Sequence, residues 1–151
     1  MKRNHWIFGA AAVVALIAAA TWMSSDSHSF AARLEAARVE AQAAGKPMLL
    51  DFYTDWCPPC AAFDRDRHRH QPLMDALDQV VLVQIECEQN DGPTLAAQYE
   101  VAKYPTYVLM SADGHVQAVW SGYFKNDFPE TLRTHLADMA AAQTATASPG
   151  S

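Results

Sequence analysis

Two cysteines separated by two prolines are the residues of this chain whose types and spacing could do chemistry. Cys57 and Cys60 enclose Pro58 and Pro59. Thiols at this spacing can close a small disulfide ring, and thiol–disulfide exchange can open it again. The pair therefore predicts a redox-active dithiol, with Cys57 and Cys60 as catalytic residues and the two prolines as the active-site loop.

The flanking segments place this pair at the start of a helix. The apolar run at residues 48–53 predicts a buried strand, and Ala61-Ala62-Phe63 begins a helical pattern. The free N–H groups and the positive dipole end of a helix N-terminus stabilise a thiolate. This context favours redox chemistry for a Cys-x-x-Cys pair. We expect Cys57, at the mouth of the helix, to be the nucleophile and Cys60, one turn further in, to be less exposed.

Two other interpretations of the pair remain open. A structural disulfide is one, although a ring this short is more easily reduced than a structural bridge. A zinc or copper site in a binding module is the other. It needs further ligands, for which His68 and His70 are the candidates, but a His-x-His spacing is not usual for zinc. We expect no metal.

Two stretches of the chain resemble a known family. Asp51-Phe52-Tyr53-Thr54-Asp55-Trp56-Cys57-Pro58-Pro59-Cys60 resembles the active-site segment of the thioredoxin superfamily. Tyr99-Glu100-Val101-Ala102-Lys103-Tyr104-Pro105-Thr106 resembles the segment that carries the family's cis-proline, and Gly114 and Gly122 fall where the family has its hairpin turn and a later glycine. Within the superfamily the chain is most similar to exported, membrane-linked thioredoxin-like domains that pass electrons to other thiols.

The resemblance implies an α/β protein with the thioredoxin-like fold. Its central mixed sheet would have about four strands, flanked by helices on both faces, and the domain would occupy residues 30–142. The hydrophobic pattern and the turn residues agree with that order of elements. The helices are predicted at 30–44, from about 57 towards 70, at 72–78, 94–99 and 128–141, and the strands at 48–53, 80–86, 106–110 and 115–120.

The resemblance also implies a substrate groove beside the cysteines. Pro105 would be the cis-proline, and its bond would present the backbone of Tyr104 to an extended client segment. Trp56 and Tyr104 would form apolar walls of this groove. Packing in the core is the alternative for both aromatic residues.

Asp51 is the candidate acid–base residue. It lies between Leu50 and Phe52 in the predicted central strand, so we expect it to be buried. A buried carboxyl has a raised pKa and can accept the proton of Cys60 when that thiol attacks. Thioredoxin carries a lysine opposite this aspartate on the neighbouring strand, and the sequence suggests Leu82 at that position here.

The N-terminal segment predicts export. Residues 1–23 combine Lys2 and Arg3 with an apolar run that carries no charge, which is typical of a signal peptide or an N-terminal membrane anchor. Residues 24–29 form a polar spacer, and residues 143–151 are predicted to be a disordered tail. We therefore expect a periplasmic, secreted or membrane-anchored protein.

The acidic net charge and the expected oxidising compartment limit the kinds of partner that we expect. Without residues 1–20 the chain keeps 9 of its 11 basic residues against 17 acidic ones, which disfavours nucleic acid. A dithiol persists in an oxidising compartment only if a partner keeps reducing it. We expect protein thiol or disulfide clients and an upstream electron donor, for which a membrane thiol reductase is a candidate. No cofactor is expected beyond the Cys57–Cys60 disulfide. The third cysteine, Cys87, is expected to be a small apolar residue, with a regulatory thiol as the alternative.

The residues around the pair predict its direction of transfer. Pro58 and Pro59 have no N–H, so two donors that could face the Cys57 sulphur are missing. Asp51 and Asp55 add negative charge, which raises the pKa of a thiol. A less stable thiolate makes the couple more reducing. We therefore expect a reductase of protein disulfides, with an oxidase or isomerase as the alternative.

Overall fold

Within residues 29–146, five helices and four strands follow one another in the predicted order. The computed structural model describes residues 29–146, so the predicted signal or anchor segment at 1–23 lies outside the described residues, as does most of the predicted tail. The elements are α1 (Phe30–Ala44), β1 (Met48–Tyr53), α2 (Pro58–Asp66), α3 (Gln71–Leu77), β2 (Val81–Glu86), α4 (Gly92–Gln98), β3 (Thr106–Met110), β4 (Val116–Ser121) and α5 (Phe128–Thr146).

The strands form one mixed sheet in the order β2-β1-β3-β4. β1 runs parallel to β2 and antiparallel to β3, and β3 and β4 form an antiparallel hairpin. Gly114 in the hairpin turn has a φ of 96°, a backbone conformation that favours glycine. The strand β1, which is hydrogen-bonded to β2 on one side and β3 on the other, leads to Cys57 and so positions the cysteine pair.

Helices cover both faces of the sheet, as predicted. α1 and α4 pack on one face, and α2, α3 and α5 pack on the other, because alternate strand residues point to opposite sides. The first core includes Phe30, Leu34, Met48, Leu50, Phe52, Ile85, Val108 and Met110. The second includes Leu49, Phe63, Leu73, Tyr107, Leu109, Phe128 and Leu132.

The start of α1 is held by two residues far apart in sequence. Ser29 caps the helix, and its Oγ accepts the N–H of Ala32 at 3.3 Å, as the sequence predicts. The Asp91 carboxylate also accepts from the Ser29 hydroxyl at 2.6 Å and from the Phe30 and Ala31 N–H groups at 2.7 and 2.9 Å. Partial burial raises the pKa of Asp91, but these hydrogen bonds outweigh it and hold the pKa at about 2.

The last helix is longer than predicted. It continues to Thr146, whereas the sequence suggests an end near Ala141. The added residues, Ala-Gln-Thr-Ala-Thr, contain no glycine or proline, and the next proline is Pro149, so nothing there stops the helix. Among residues 29–146, no helix has the length and apolarity needed to cross a bilayer.

Candidate active site

The cysteine pair forms a disulfide at the start of α2. Cys57 is the N-cap residue, and Pro58 and Pro59 occupy the first two helical positions. The Cys60 N–H donates to the Cys57 sulphur at 3.3 Å. Since neither proline has an N–H, this amide is the first one in α2 that can stabilise a Cys57 thiolate, as the sequence predicts.

The two cysteines are equally inaccessible in this disulfide form. Cys57 is 3% exposed and Cys60 is 5% exposed, so the prediction that Cys57 is the more exposed residue is wrong here. The reason is that the closed ring turns the two sulphur atoms towards each other and places the Cys60 amide against Cys57. The N-cap position, rather than exposure, favours Cys57 as the nucleophile.

The segment that is predicted to line the client groove has the expected cis-proline. The Tyr104–Pro105 peptide bond is cis. Trp56 is 65% exposed and therefore does not pack in the core; its ring stands edge-on to Tyr104, with the ring centroids 6.0 Å apart. The indole N–H of Trp56 donates to the Glu88 carboxylate at 3.0 Å, which fixes the ring orientation. The binding of clients by Trp56, Tyr104 and Pro105 stays a prediction.

Asp51 is buried, as predicted, with 2% of its surface exposed. Burial raises the pKa of its carboxyl to about 7. The Gln84 hydrogen bond and the positive charge of Arg67 oppose this rise, and the negative charge of Asp64 adds to it. A carboxyl with a pKa near neutrality can exchange protons under physiological conditions, which is what a general base for Cys60 requires.

The residue opposite Asp51 differs from the expected one. Asp51 pairs with Gln84 on β2, whereas Leu82 pairs with Leu49. The Gln84 side-chain amide donates to Asp51 Oδ2 at 3.0 Å. The expectation of Leu82 was wrong by two positions, because residues two apart share a face and the sequence pattern does not distinguish these registers.

A cleft opens on the Cys60 side of the pair. Its volume is about 270 Å³, and it brings Cys60 and Gln84 to the same surface. Thr54, which is 1% exposed, lines the cleft, and its hydroxyl has no hydrogen-bond partner among the described residues. Sequence analysis missed this group of residues; the only available signal was the single glutamine in the apolar strand Val81–Glu86. The cleft is lined by Tyr53, Thr54, Asp55, Cys60, Ala61, Asp64 and Gln84.

Cys87 is a free cysteine with 4% exposure in the first core. Burial and the charge of Glu86 raise the pKa of its thiol to about 12, so the thiol stays protonated. Its S–H donates weakly to the Ile85 carbonyl at 3.6 Å. These properties agree with the interpretation of Cys87 as a small apolar residue.

The described residues provide no additional support for a metal site. Within residues 29–146, no group of three or more His, Cys, Asp and Glu side chains is placed to hold an ion. His68 and His70, the candidate ligands of the metal-binding alternative, follow the end of α2 and form no such group with the cysteines among residues 29–146.

The fold and the cysteine pair together define the class of protein. A Cys-Pro-Pro-Cys segment caps the helix after the central strand, and a cis-proline precedes β3, in a four-stranded mixed sheet. The family model described as "Thioredoxin-like" matches residues 29–112, more than half of the chain. The chain belongs to the thioredoxin-like family.

Its curated relatives include proteins named "Thiol:disulfide interchange protein DsbD". The one from Escherichia coli O6:H1 is 34% identical over 109 residues, which cover 70% of this chain and 18% of the relative. The one from Cronobacter sakazakii is 30% identical over 118 residues, which cover 74% of this chain and 19% of the relative. The chain thus spans about a fifth of the length of these relatives.

Solved thioredoxins share the fold. Thioredoxin from Fasciola hepatica matches with a TM-score of 0.55 and 28% identity, over 70% of this chain and 93% of that one. A structure titled "DsbH Oxidoreductase" matches with a TM-score of 0.58 and 19% identity, over 67% of this chain and 79% of that one. At its lower identity, the second match supports the fold alone.

Proposed function

We propose that this chain is a thiol:disulfide oxidoreductase that reduces protein disulfides. The observation that carries the proposal is the Cys57–Cys60 disulfide at the N-terminus of α2, in a fold that also has the cis-proline Pro105. The similarity to relatives named for thiol:disulfide interchange supports the same chemistry. Asp51, buried with a pKa of about 7 on the strand that leads to the pair, would supply the base.

The reaction transfers two electrons in two exchange steps. The Cys57 thiolate attacks a client disulfide, so a bond forms between Cys57 and one client sulphur while the other client sulphur leaves as a thiolate and takes up a proton. Asp51 then accepts the proton of Cys60, and the Cys60 thiolate attacks the Cys57 sulphur. The second client sulphur leaves, the client is reduced, and the Cys57–Cys60 disulfide remains.

The groove would bind the client during both steps. Clients that carry disulfides are protein segments, and an extended segment can pair with the exposed backbone at Tyr104, beside Pro105. Trp56 offers an exposed apolar surface next to it, held by Glu88. These residues would keep the client disulfide in line with Cys57.

The reducing direction follows from the electrostatics around Cys57. Pro58 and Pro59 withhold two amides, and the Cys60 amide is the backbone donor that the described part of the chain places on the sulphur. Because each turnover leaves a disulfide, the protein needs an upstream dithiol donor. A membrane thiol reductase suits a chain whose N-terminal run at residues 7–23 directs it to the periplasm, as a cleaved signal peptide or as an anchor in the inner membrane.

Reduction of insulin by the purified full-length chain tests this function. With dithiothreitol as the electron source, the wild type should accelerate the precipitation of insulin chains, and Cys57→Ser should not. The metal content of the protein purified from cells grown in rich medium distinguishes this function from the alternative of a metal-binding module. Stoichiometric zinc or copper without insulin reduction would contradict the proposal.

A further inference from the structure

Asp51 receives a single side-chain hydrogen bond within the part of the chain that the structure describes, and Gln84 donates it. We propose that Gln84 is a positioning residue that keeps the Asp51 carboxylate in its proton-accepting form and so sets the lower pH limit of the Cys60 resolving step. The inference rests on the proposed function and adds the residue that regulates its proton transfer.

The position of Gln84 is fixed by the sheet. It is the register partner of Asp51 on the adjacent parallel strand, and its amide lies 3.0 Å from Asp51 Oδ2. β2 is one of the two edge strands, and the Arg33 guanidinium donates to the Gln84 carbonyl, which anchors the backbone of this strand. Gln84 also lines the cleft that Cys60 lines, so the hydrogen-bond partner of Asp51 reaches the same surface as the resolving cysteine.

The other charges near Asp51 oppose each other. Arg67 lowers the pKa of Asp51 and Asp64 raises it, but these two residues pair, with Arg67 Nε and a terminal nitrogen both 2.8 Å from Asp64 Oδ1. Their effects on the pKa of Asp51 therefore have opposite signs. The donor from Gln84 remains as the main influence that opposes burial. Within residues 29–146, the other titratable groups that interact electrostatically with Asp51 include Tyr53, Cys87 and Tyr107. Cys60, which lines the cleft with Gln84, is held in the disulfide.

Tyr107 provides a matched comparison on the opposite side. It is the register partner of Asp51 on β3, so Asp51 lies between Gln84 and Tyr107 in one row across the sheet. The Tyr107 hydroxyl is buried and has no hydrogen-bond partner within residues 29–146, and the ring packs against Phe63 and Phe128. One neighbour of Asp51 thus donates a hydrogen bond and the other does not.

Loss of the Gln84 donor should raise the pKa of Asp51. A hydrogen bond to an ionised carboxylate lowers its pKa by about one unit. A protonated Asp51 cannot accept the Cys60 proton, so below the wild-type pKa the resolving step should be about tenfold slower than in the wild type at the same pH.

The test uses the full-length chain and three variants. Gln84→Met keeps the size of the side chain and removes the donor, Gln84→Lys replaces the amide with a charged donor, and Tyr107→Phe removes the unpartnered hydroxyl. The Asp51 carboxyl is titrated by carbon-13 NMR in the oxidised protein. The release of the second thiol from a disulfide-bonded peptide is followed by stopped flow as a function of pH.

Two midpoints are compared, that of the Asp51 titration and that of the pH–rate profile. We expect both to rise by about one pH unit in Gln84→Met, to fall in Gln84→Lys and to be unchanged in Tyr107→Phe. An unchanged Asp51 titration in Gln84→Met would overturn the proposal, and so would a shifted titration with an unmoved rate profile. An equal shift in Tyr107→Phe would also overturn it, because packing rather than the hydrogen bond would then be responsible. If the wild type reduces no disulfide, the proposed function fails, whereas the NMR titration still decides whether Gln84 controls Asp51.

Discussion

Replacement of Asp51 by asparagine should stabilise the folded chain at alkaline pH. Burial raises the pKa of Asp51 from its ordinary value of 3.8 to about 7. A group with a raised pKa in the folded state contributes stability below its unfolded pKa and loses it as the pH rises through the folded value. Above about pH 7 the folded protein must therefore hold a buried carboxylate, a cost that asparagine does not carry.

The size of the effect follows from the shift. A rise from 3.8 to about 7 is about three pKa units, which correspond to about 4 kcal/mol between the acidic and alkaline limits. The contribution of Asp51 to the free energy of unfolding changes with pH only up to the folded-state pKa of about 7. A comparison of about pH 5 with about pH 8.5 therefore covers about two of these units, or about 2–3 kcal/mol. That is a large part of the 5–15 kcal/mol by which domains are typically stable. Asparagine keeps an oxygen that can accept the Gln84 amide, so this hydrogen bond survives.

Urea unfolding followed by tryptophan fluorescence measures the effect. The oxidised wild type and Asp51→Asn are compared at about pH 5 and about pH 8.5, and the difference in the free energy of unfolding should widen by about 2–3 kcal/mol in favour of the variant. Asp138→Asn, on the exposed side of α5, is the control and should follow the wild type at both pH values. Parallel pH profiles for the wild type and Asp51→Asn would refute the reasoning.

Three further outcomes are expected. Cys60→Ser should trap clients as mixed disulfides through Cys57, seen as reducible adducts on gels, and Cys57→Ser should trap none; equal trapping would mean that the nucleophile is misassigned. Asp91→Ala removes three hydrogen bonds at the start of α1 and should lower the free energy of unfolding by about 1–2 kcal/mol at pH 7, against no change for Asp138→Ala. Because the pKa of Asp91 is depressed to about 2, its contribution is present above its ordinary value of 3.8 and is lost as the pH falls towards 2, so the variant should lack this part of the acid sensitivity. Pro58→His restores an amide at the first position of α2 and should raise the reduction potential, whereas an unchanged or lower potential would show that the missing amides do not set it.

Much of the fold could be predicted from local sequence patterns. The order of the elements, the Ser29 cap and the burial of Asp51 follow from hydrophobic periodicity and residue type, which neighbouring residues determine. The cis bond before Pro105 could be predicted only from the family resemblance, because an isolated X–Pro bond is usually trans.

Long-range placement could not be predicted in the same way. The pairing of Gln84 with Asp51 depends on a strand register that a shift by two residues leaves equally hydrophobic. Asp91 caps α1 across 61 positions of sequence, and no local pattern marks such a contact. The equal burial of the two cysteines depends on the closed ring, which their positions in sequence do not reveal.

The reduction potential of the Cys57–Cys60 couple tests the central claim most directly. It can be measured by equilibrating the full-length chain with defined dithiothreitol redox buffers and quantifying free thiols after alkylation. The single amide on Cys57 and the carboxylates of Asp51 and Asp55 predict a value nearer the roughly −270 mV of thioredoxin than the roughly −120 mV of a strong oxidant. A value above about −180 mV, the level of the disulfide isomerases, would contradict the assignment of this chain as a reductase.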